Sequence, residues 1–263
     1  MKVVLFCGGK GLRLREFSEA IPKPMAPVGN RPILWHVMRY FAEFGHREFV
    51  LCLGYRAEVI KEYFLRYNEA ISNDFVLSDG GQTLELLSSD IQDWRITFAD
   101  TGLAANIGGR LRAVRRHLGD DEFFLANYGD TLTDAPLGEM IERFQQSDHL
   151  AAFLAIRPTY TFHVVDVAED GRVDKIQHVL DTGTRINGGY FIFRRGIFDE
   201  IKEGEELVEA PFQRLVEQGR LMAFAYDGFW APMDTLKDKQ DLDALWEAGT
   251  PPWAIWRRGD EVP

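Results

Sequence analysis

Covalent staples, membrane spans and excess basic charge are all missing from this sequence. Its 263 residues include two cysteines, Cys7 and Cys52. Each sits inside an apolar run and reads as a buried reduced thiol rather than half of a disulfide or a metal ligand. No apolar stretch approaches the ~18–20 residues that cross a bilayer. The apolar start, residues 3–6, meets glycines too early for a secretory leader, so a cytoplasmic protein is expected. Lysine and arginine number 30 against 41 acidic residues, a formal net charge of -11. Such a chain does not coat a nucleic-acid backbone, which rewards clustered cations. A small polyanion would have to be met locally, by backbone N–H groups, a few cations and a metal ion. A complete Gly-x-Gly-x-x-Gly fingerprint and a Walker Gly-Lys-Ser/Thr are absent too.

What is present is ordinary globular material, 46% hydrophobic and 27% charged. Residues 2–7 and 48–54 are apolar, β-branched runs bounded by glycine, the pattern of buried strands. Between them, Ile33, Leu34, Val37, Met38, Phe41 and Phe44 recur at helical spacing, and Gly45 marks the stop. Residues 57–67, 110–118 and 136–147 read as helices, and residues 122–128 and 150–156 as strands. A hairpin is expected up to residue 173, a strand over 190–193 and a helix over 238–246. This order predicts an α/β, doubly wound, mostly parallel sheet in one catalytic domain spanning 1–263. Residues 74–98 alternate and carry glycines, and are expected to form an antiparallel excursion. Trp253 and Trp256, beyond Pro251-Pro252, suggest a docked tail.

Four segments carry chemistry. Gly8-Gly9-Lys10-Gly11-Leu12-Arg13 follows the first strand, where open α/β sheets bind ligands. Its glycines let backbone N–H groups approach a phosphate, and Arg13 would meet the phosphates as a planar fork. Pro22-Lys23-Pro24 locks a lysine in extended backbone. Tyr128-Gly129-Asp130 ends an apolar strand, and Pro232-Met233-Asp234 follows another apolar stretch. Two carboxylates sharing one Mg²⁺ with nucleotide phosphates is a common economy of phosphoryl-transfer sites. Taken singly, each segment is equally a turn, a rigid surface loop or a helix cap.

Together, and in this order, they resemble the sugar-nucleotidyltransferase family, and within it the bacterial cytidylyltransferases of glucose 1-phosphate. Further matching stretches are Arg31-Pro32-Ile33-Leu34-Trp35-His36, Asp100-Thr101-Gly102, Gly108-Gly109-Arg110-Leu111, Ile186-Asn187-Gly188-Gly189 and Gly228-Phe229-Trp230. The resemblance implies a transfer of CMP from CTP to a small phosphorylated acceptor, a sugar 1-phosphate such as glucose 1-phosphate, with release of pyrophosphate. It implies that Gly8, Gly9, Gly11 and Arg13 hold the CTP phosphates and that Lys23 reaches the α-phosphate. Gly109 and Arg110 would lie by the base or its phosphates, and Asp130 and Asp234 would hold Mg²⁺. Arg13, Lys23 and Asp130 would be the catalytic residues. Tyr128, Asn187 and Gly188 would line the acceptor pocket. It also implies a homo-oligomer, such as a hexamer, with Trp94, Trp253 and Trp256 at contacts or buried in the monomer.

The departures fall on the acceptor side. The family carries Glu-Lys-Pro about ten residues before Asn-Gly-Gly; here Gln177 and His178 take the Glu and Lys places. In the hairpin near the sugar, Phe162-His163 replaces an aromatic or Arg followed by Gly. An unperturbed histidine is mostly neutral near pH 7, so a permanent cation is lost. Lys175, Arg185 or Arg157 would restore it, or the acceptor differs. His163 and His178 thus count among the acceptor-binding candidates, and a metal held by the pair is a further reading. Three rivals stand beside glucose 1-phosphate: a non-sugar phosphate or phosphonate acceptor, a thymidylyl or uridylyl donor, and a non-catalytic nucleotide-binding homologue.

Overall fold

Seven strands make the central sheet: β1 (Lys2–Phe6), β2 (Glu48–Leu53), β3 (Arg95–Asp100), β4 (Phe123–Asn127), β5 (Ala151–Ile156), β6 (Ile186–Arg194) and β7 (Leu221–Tyr226). A computed structural model describes residues 1–9, 21–158 and 162–257. The strand order is β7-β5-β6-β4-β1-β2-β3. β1 runs parallel to β2 and β4, β2 to β3, and β5 to β7, and only β6 runs antiparallel to its neighbours β4 and β5. The chain therefore winds outward from β1 through β2 to β3, then returns to the other side of β1 at β4. The crevice between the carboxyl ends of β1 and β4 is the topological switch point, where ligands bind in such sheets.

Alternation along the strands fills two layers. Val3, Leu5, Leu51, Leu53 and Leu125 face one side, against helices α1 (Ile33–Glu43), α2 (Ala57–Leu65), α4 (Leu137–Gln145) and α6 (Leu236–Glu247). Val4, Phe6, Val50, Phe124 and Ala126 face the other, against α3 (Ile107–Val114) and α5 (Ala210–Glu217). Cys7 packs on the first side and Cys52 on the second, so the two free, buried thiols point away from each other.

Helix α1 shows how local sequence sets a boundary. Its end is a paired reverse turn in which Gly45 N–H donates to Ala42 O and His46 N–H to Phe41 O. Gly45 has φ +83°, which a side chain would resist. Helix α3 starts earlier than its apolar spacing suggested, at Ile107, because the Asn106 side chain accepts from Gly109 N–H and caps it.

Three expectations are corrected. Residues 75–78 and 83–86 do form an antiparallel hairpin, but residues 95–100 leave it and join the central sheet as the parallel edge strand β3. Partial exposure along its length gives this edge strand the look of an excursion. Strand β7 and helix α5 were not expected at all. β7 is a half-buried edge strand carrying two alanines, and α5 buries only Pro211, Phe212 and Leu215. The late hairpin pairs residues 163–167 with 173–178 and so runs past 173.

The tail docks on its own chain. Trp253 is fully buried, and Trp246, Trp253 and Trp256 surround the imidazole of His36 on α1. Trp94 packs against Trp35 and Phe49. Burial within the chain thus accounts for Trp253, while Trp94 and Trp256 pack within the chain and remain half-buried.

His36 holds this docking together as a neutral ring. The Trp253 indole N–H donates to its Nδ1 (3.3 Å), so its Nε2–H donates to Val28 O (3.0 Å). Burial lowers its pKa to about 4, so the unfolded chain binds a proton between pH 6.5 and 4 that the folded chain refuses. Stability is complete above pH 6.5 and falls through that window. At pH 5 the expected loss from this group is about 2 kcal/mol. His36→Gln is expected to flatten the change in urea midpoint between pH 7 and pH 5; an unchanged slope would remove His36 from this role.

Candidate active site

At the carboxyl end of β1, the chain passes through Cys7 into Gly8 and Gly9. A Cβ on Gly8 would lie 1.9 Å from Arg110 Nη1, whereas one on Gly9 would meet nothing within 4 Å among the described residues. Gly8 is therefore closely packed by Arg110, and Gly9 is exposed. Gly11 and Arg13, expected at the nucleotide phosphates, lie outside the described residues.

Arg110 works from behind the loop. It is 3% exposed, and its guanidinium donates to Gly8 O (3.0 Å), Leu53 O (3.2 Å) and Thr101 Oγ1 (2.6 Å). It gathers the ends of β1 and β2 by their carbonyls and the end of β3 by the Thr101 hydroxyl, and burial lowers its pKa. A Cβ on Gly54 would lie 2.8 Å from Gly8 O, so these strand ends converge too tightly for a side chain. Gly109 lies in the first turn of α3 against Asn106. Of the two residues expected near the base, Arg110 thus shapes the loop and Gly109 serves the helix cap.

The carboxylates come from a second pair of elements. Residues 131–133 pair antiparallel with residues 230–232, Pro232 opposite Thr131. Met233 N–H donates to Asp130 O (3.0 Å). This ribbon brings Asp130 and Asp234 together although 104 positions separate them. Asp234 is further held through its N–H to Asp238 Oδ2 (2.9 Å), part of the Thr235–Asp238 box that caps α6. Lys23 opens a single helical turn, Lys23–Met25, where extended backbone was expected, because Pro24 fits the first turn of a helix; it reaches both carboxylates: Nζ lies 2.6 Å from Asp130 Oδ2 and 2.5 Å from Asp234 Oδ1. Burial pushes the Asp130 carboxyl above the usual carboxylate range, against the pull of Lys23. Burial also works against the Lys23 charge, but Asp130 and Asp234 outweigh it and hold the ammonium above its usual range.

The turn that carries Asp130 rests on a residue the sequence reading missed. Asn127, at the end of β4, is fully buried. Its Oδ1 accepts from Gly129 N–H (2.6 Å), and its Nδ2 donates to Gly189 O (3.0 Å) and Thr131 Oγ1 (3.2 Å). Gly129 and Gly189 both have positive φ, +80° and +76°. A Cβ on Gly189 would lie 2.5 Å from the Tyr128 ring. An asparagine two residues before a strand-end glycine was the signal that could have found it.

The acceptor-side residues fall into two groups. Tyr128, Asn187 and Gly188 are together: Asn187 Nδ2 donates to Tyr128 Oη (3.0 Å), Asn187 Oδ1 accepts from Gly189 N–H (2.9 Å), and Trp230 Nε1 donates to Gly188 O (2.8 Å). Burial pushes the Tyr128 phenol up to about 12. His163 and His178 sit apart, opposite one another on the projecting hairpin, rings 5.3 Å between centroids. No contact joins them to Tyr128 or Asn187 among the described residues. His178 Nδ1 accepts from Leu180 N–H (3.2 Å), so the neutral ring carries its proton on Nε2. That arrangement leaves no free lone pair for a metal and argues against the metal reading. Leu180 lines a cleft of about 310 Å³ with Arg157, Tyr226, Asp227 and Trp230, which places the hairpin base beside the acceptor side. Arg157 and Arg185, offered as substitute cations, both bind Asp227 Oδ1 at 2.9 Å.

A family model for nucleotidyl transferases matches residues 2–249. The chain belongs to the nucleotidyl transferase family. It is 38% identical over 258 residues to a protein of Salmonella typhi named glucose-1-phosphate cytidylyltransferase, covering 97% of this chain and all of that one. A Salmonella typhimurium protein of the same name gives the same figures. Among solved structures, UDP-glucose pyrophosphorylase complexed with UDP-glucose superposes with TM-score 0.69 at 15% identity, covering 94% of this chain and 98% of that one. HddC from Yersinia pseudotuberculosis superposes with TM-score 0.66 at 19% identity, covering 93% and 99%. These two likenesses bear on the fold, and they agree with the mostly parallel α/β sheet expected of this nucleotidyltransferase.

Replacing Asn127 with Ala strands the Gly129 N–H in the core. Asn127→Ala is expected to cost about 2–3 kcal/mol in denaturant unfolding, and a loss below 1 kcal/mol would show that the turn holds itself.

Proposed function

We propose that the chain transfers CMP from CTP to a sugar 1-phosphate, with glucose 1-phosphate as the acceptor, in one catalytic domain. The observation that carries this reading is full-length identity to relatives named for that reaction, with Lys23, Asp130 and Asp234 gathered at the switch point. An acceptor phosphate oxygen attacks the α-phosphorus of CTP in line. The bond to the bridging oxygen breaks, and pyrophosphate leaves with the electron pair. The protein's work is positioning and charge neutralisation.

Asp130 and Asp234 suit Mg²⁺. They offer carboxylate oxygens alone, they already converge on one cation, and Mg²⁺ commonly takes one or two protein carboxylates with the rest of its shell from water and phosphate. No group of three or more His, Cys, Asp or Glu side chains forms a metal cage among the described residues. When bound, Mg²⁺ supplies neutralisation of phosphate charge. Lys23 holds the carboxylates in place and donates toward the α-phosphate, Gly8 and Gly9 admit the triphosphate, and Tyr128, Asn187 and Gly188 position the acceptor. No described helix is long and apolar enough to cross a membrane.

A second acceptor class is kept open by the hairpin, where His178, its Nδ1 accepting from Leu180 N–H, directs Nε2 as a donor in place of a fixed cation. The test is pyrophosphate release from CTP and Mg²⁺ against glucose 1-phosphate, other sugar phosphates and small phosphonates. Turnover with glucose 1-phosphate is expected, and Lys23→Ala is expected to lower kcat/KM by about 10²–10³-fold. Turnover only with UTP or dTTP would overturn the cytidylyl reading. CTP binding without turnover across the panel would favour the non-catalytic one.

We also propose a homo-oligomer. Phe75, Val76, Leu77 and Leu84 on the hairpin of residues 75–86 are 42–57% exposed, an apolar projection suited to a second copy. Light scattering is expected to give a multiple of 30.1 kDa; a monomer mass would reject it.

A further inference from the structure

A cleft of about 210 Å³ opens at the amino-terminal edge of β1–β3, the end of the sheet opposite the active site. Parallel register places Lys2, Glu48 and Arg95 side by side as the first residues of three adjacent strands. Arg116, His117 and Gly119, from the chain just after α3, close the cleft from above. Its lining thus holds three permanent cations and one carboxylate, in a chain of net charge -11.

Those cations are incompletely used. Lys2 Nζ donates to Leu118 O (2.9 Å) and Asp121 Oδ2 (3.2 Å), which leaves one of its three N–H groups. Arg116 Nε donates to His117 Nε2 (3.2 Å), so its terminal amines remain available. Among the described residues, neither Arg95 nor Arg116 has a carboxylate within ion-pair distance, Glu48 included. The cleft is also kept clear by backbone. Gly119 has φ +61°, and a Cβ there would lie 3.3 Å from Lys2 Nζ. Its carbonyl is turned outward to the Arg195 guanidinium.

We propose that this cleft binds orthophosphate. Two free guanidinium forks and an ammonium, converging over a small polar floor that includes Thr97, suit a tetrahedral dianion. Phe49 in the lining is 1% exposed, and the one other ring, the His117 imidazole, is engaged at Nε2 by Arg116, so the cleft offers charge rather than an aromatic platform. The ligand proposed is accordingly the phosphate itself. The site is separate from the catalytic cluster, and its existence does not depend on which acceptor the enzyme uses.

The test is the thermal midpoint of the full chain in orthophosphate, with ionic strength matched by sodium chloride to cancel screening. Phosphate at about ten times its dissociation constant should raise the midpoint by about 3 °C. The rise is expected to persist in Lys23→Gln and to vanish in the double variant Arg95→Gln, Arg116→Gln, with each single variant weakening binding several-fold. Both arginines are exposed, and the double variant is expected to keep the wild-type CTP-dependent rate, which reports that it is folded. A phosphate response that survives the double variant but disappears in Lys23→Gln would place the anion in the active site and overturn the proposal. No response beyond that of chloride would overturn it equally.

Discussion

One ammonium group between two half-buried carboxylates organises this molecule's functional end. Asp130 and Asp234 would repel each other if brought together alone, by about 4 kcal/mol at 4 Å for an effective dielectric of 20. Lys23 removes that conflict by touching both. Its position is set by a single turn locked between two prolines, so the charge arrives with little freedom to lose. Three segments distant in the chain are thus fixed on one another by one nitrogen, and the same arrangement makes the spot suited to a hard cation and a phosphate.

Around that cluster, backbone does more than side chains. Arg110 spends its donors on carbonyls, Asn127 clamps a turn, and Gly129 and Gly189 accept conformations other residues resist. Such parts hold the strand ends and turns that carry Gly8, Gly9 and Asp130. This division explains why Arg110, expected beside the nucleotide, is buried behind its loop. Its charge draws strand ends together, and Gly9, just beyond the end of β1, is exposed.

The two halves of the site differ in how closely they are built. Tyr128, Asn187, Gly188 and Trp230 interlock by hydrogen bonds on the rigid ends of β4 and β6. The two histidines stand on a hairpin whose strands are largely exposed. Specificity carried on such a projection can change without disturbing the sheet, since few buried contacts depend on it.

Sequence alone determined the parts whose physics is local. The apolar runs of β1, β2 and β4, the spacing and glycine stop of α1 and the strand-end glycines are all short-range patterns, and each formed where it was expected; Lys23 is held by its prolines too, but on a helical turn rather than in extended backbone. The edge strands β3 and β7 were less legible, because half-exposed strands lack a continuous apolar signal. Only the tertiary structure decided that Lys23, Asp130 and Asp234 share one point, that Asn127 supports it, that Arg110 faces backbone and that the tail tryptophans close on His36. No spacing along the chain encodes these contacts. They arise from strand order and from a short ribbon between residues 131–133 and 230–232, and such long-range pairing exists only after the sheet has formed.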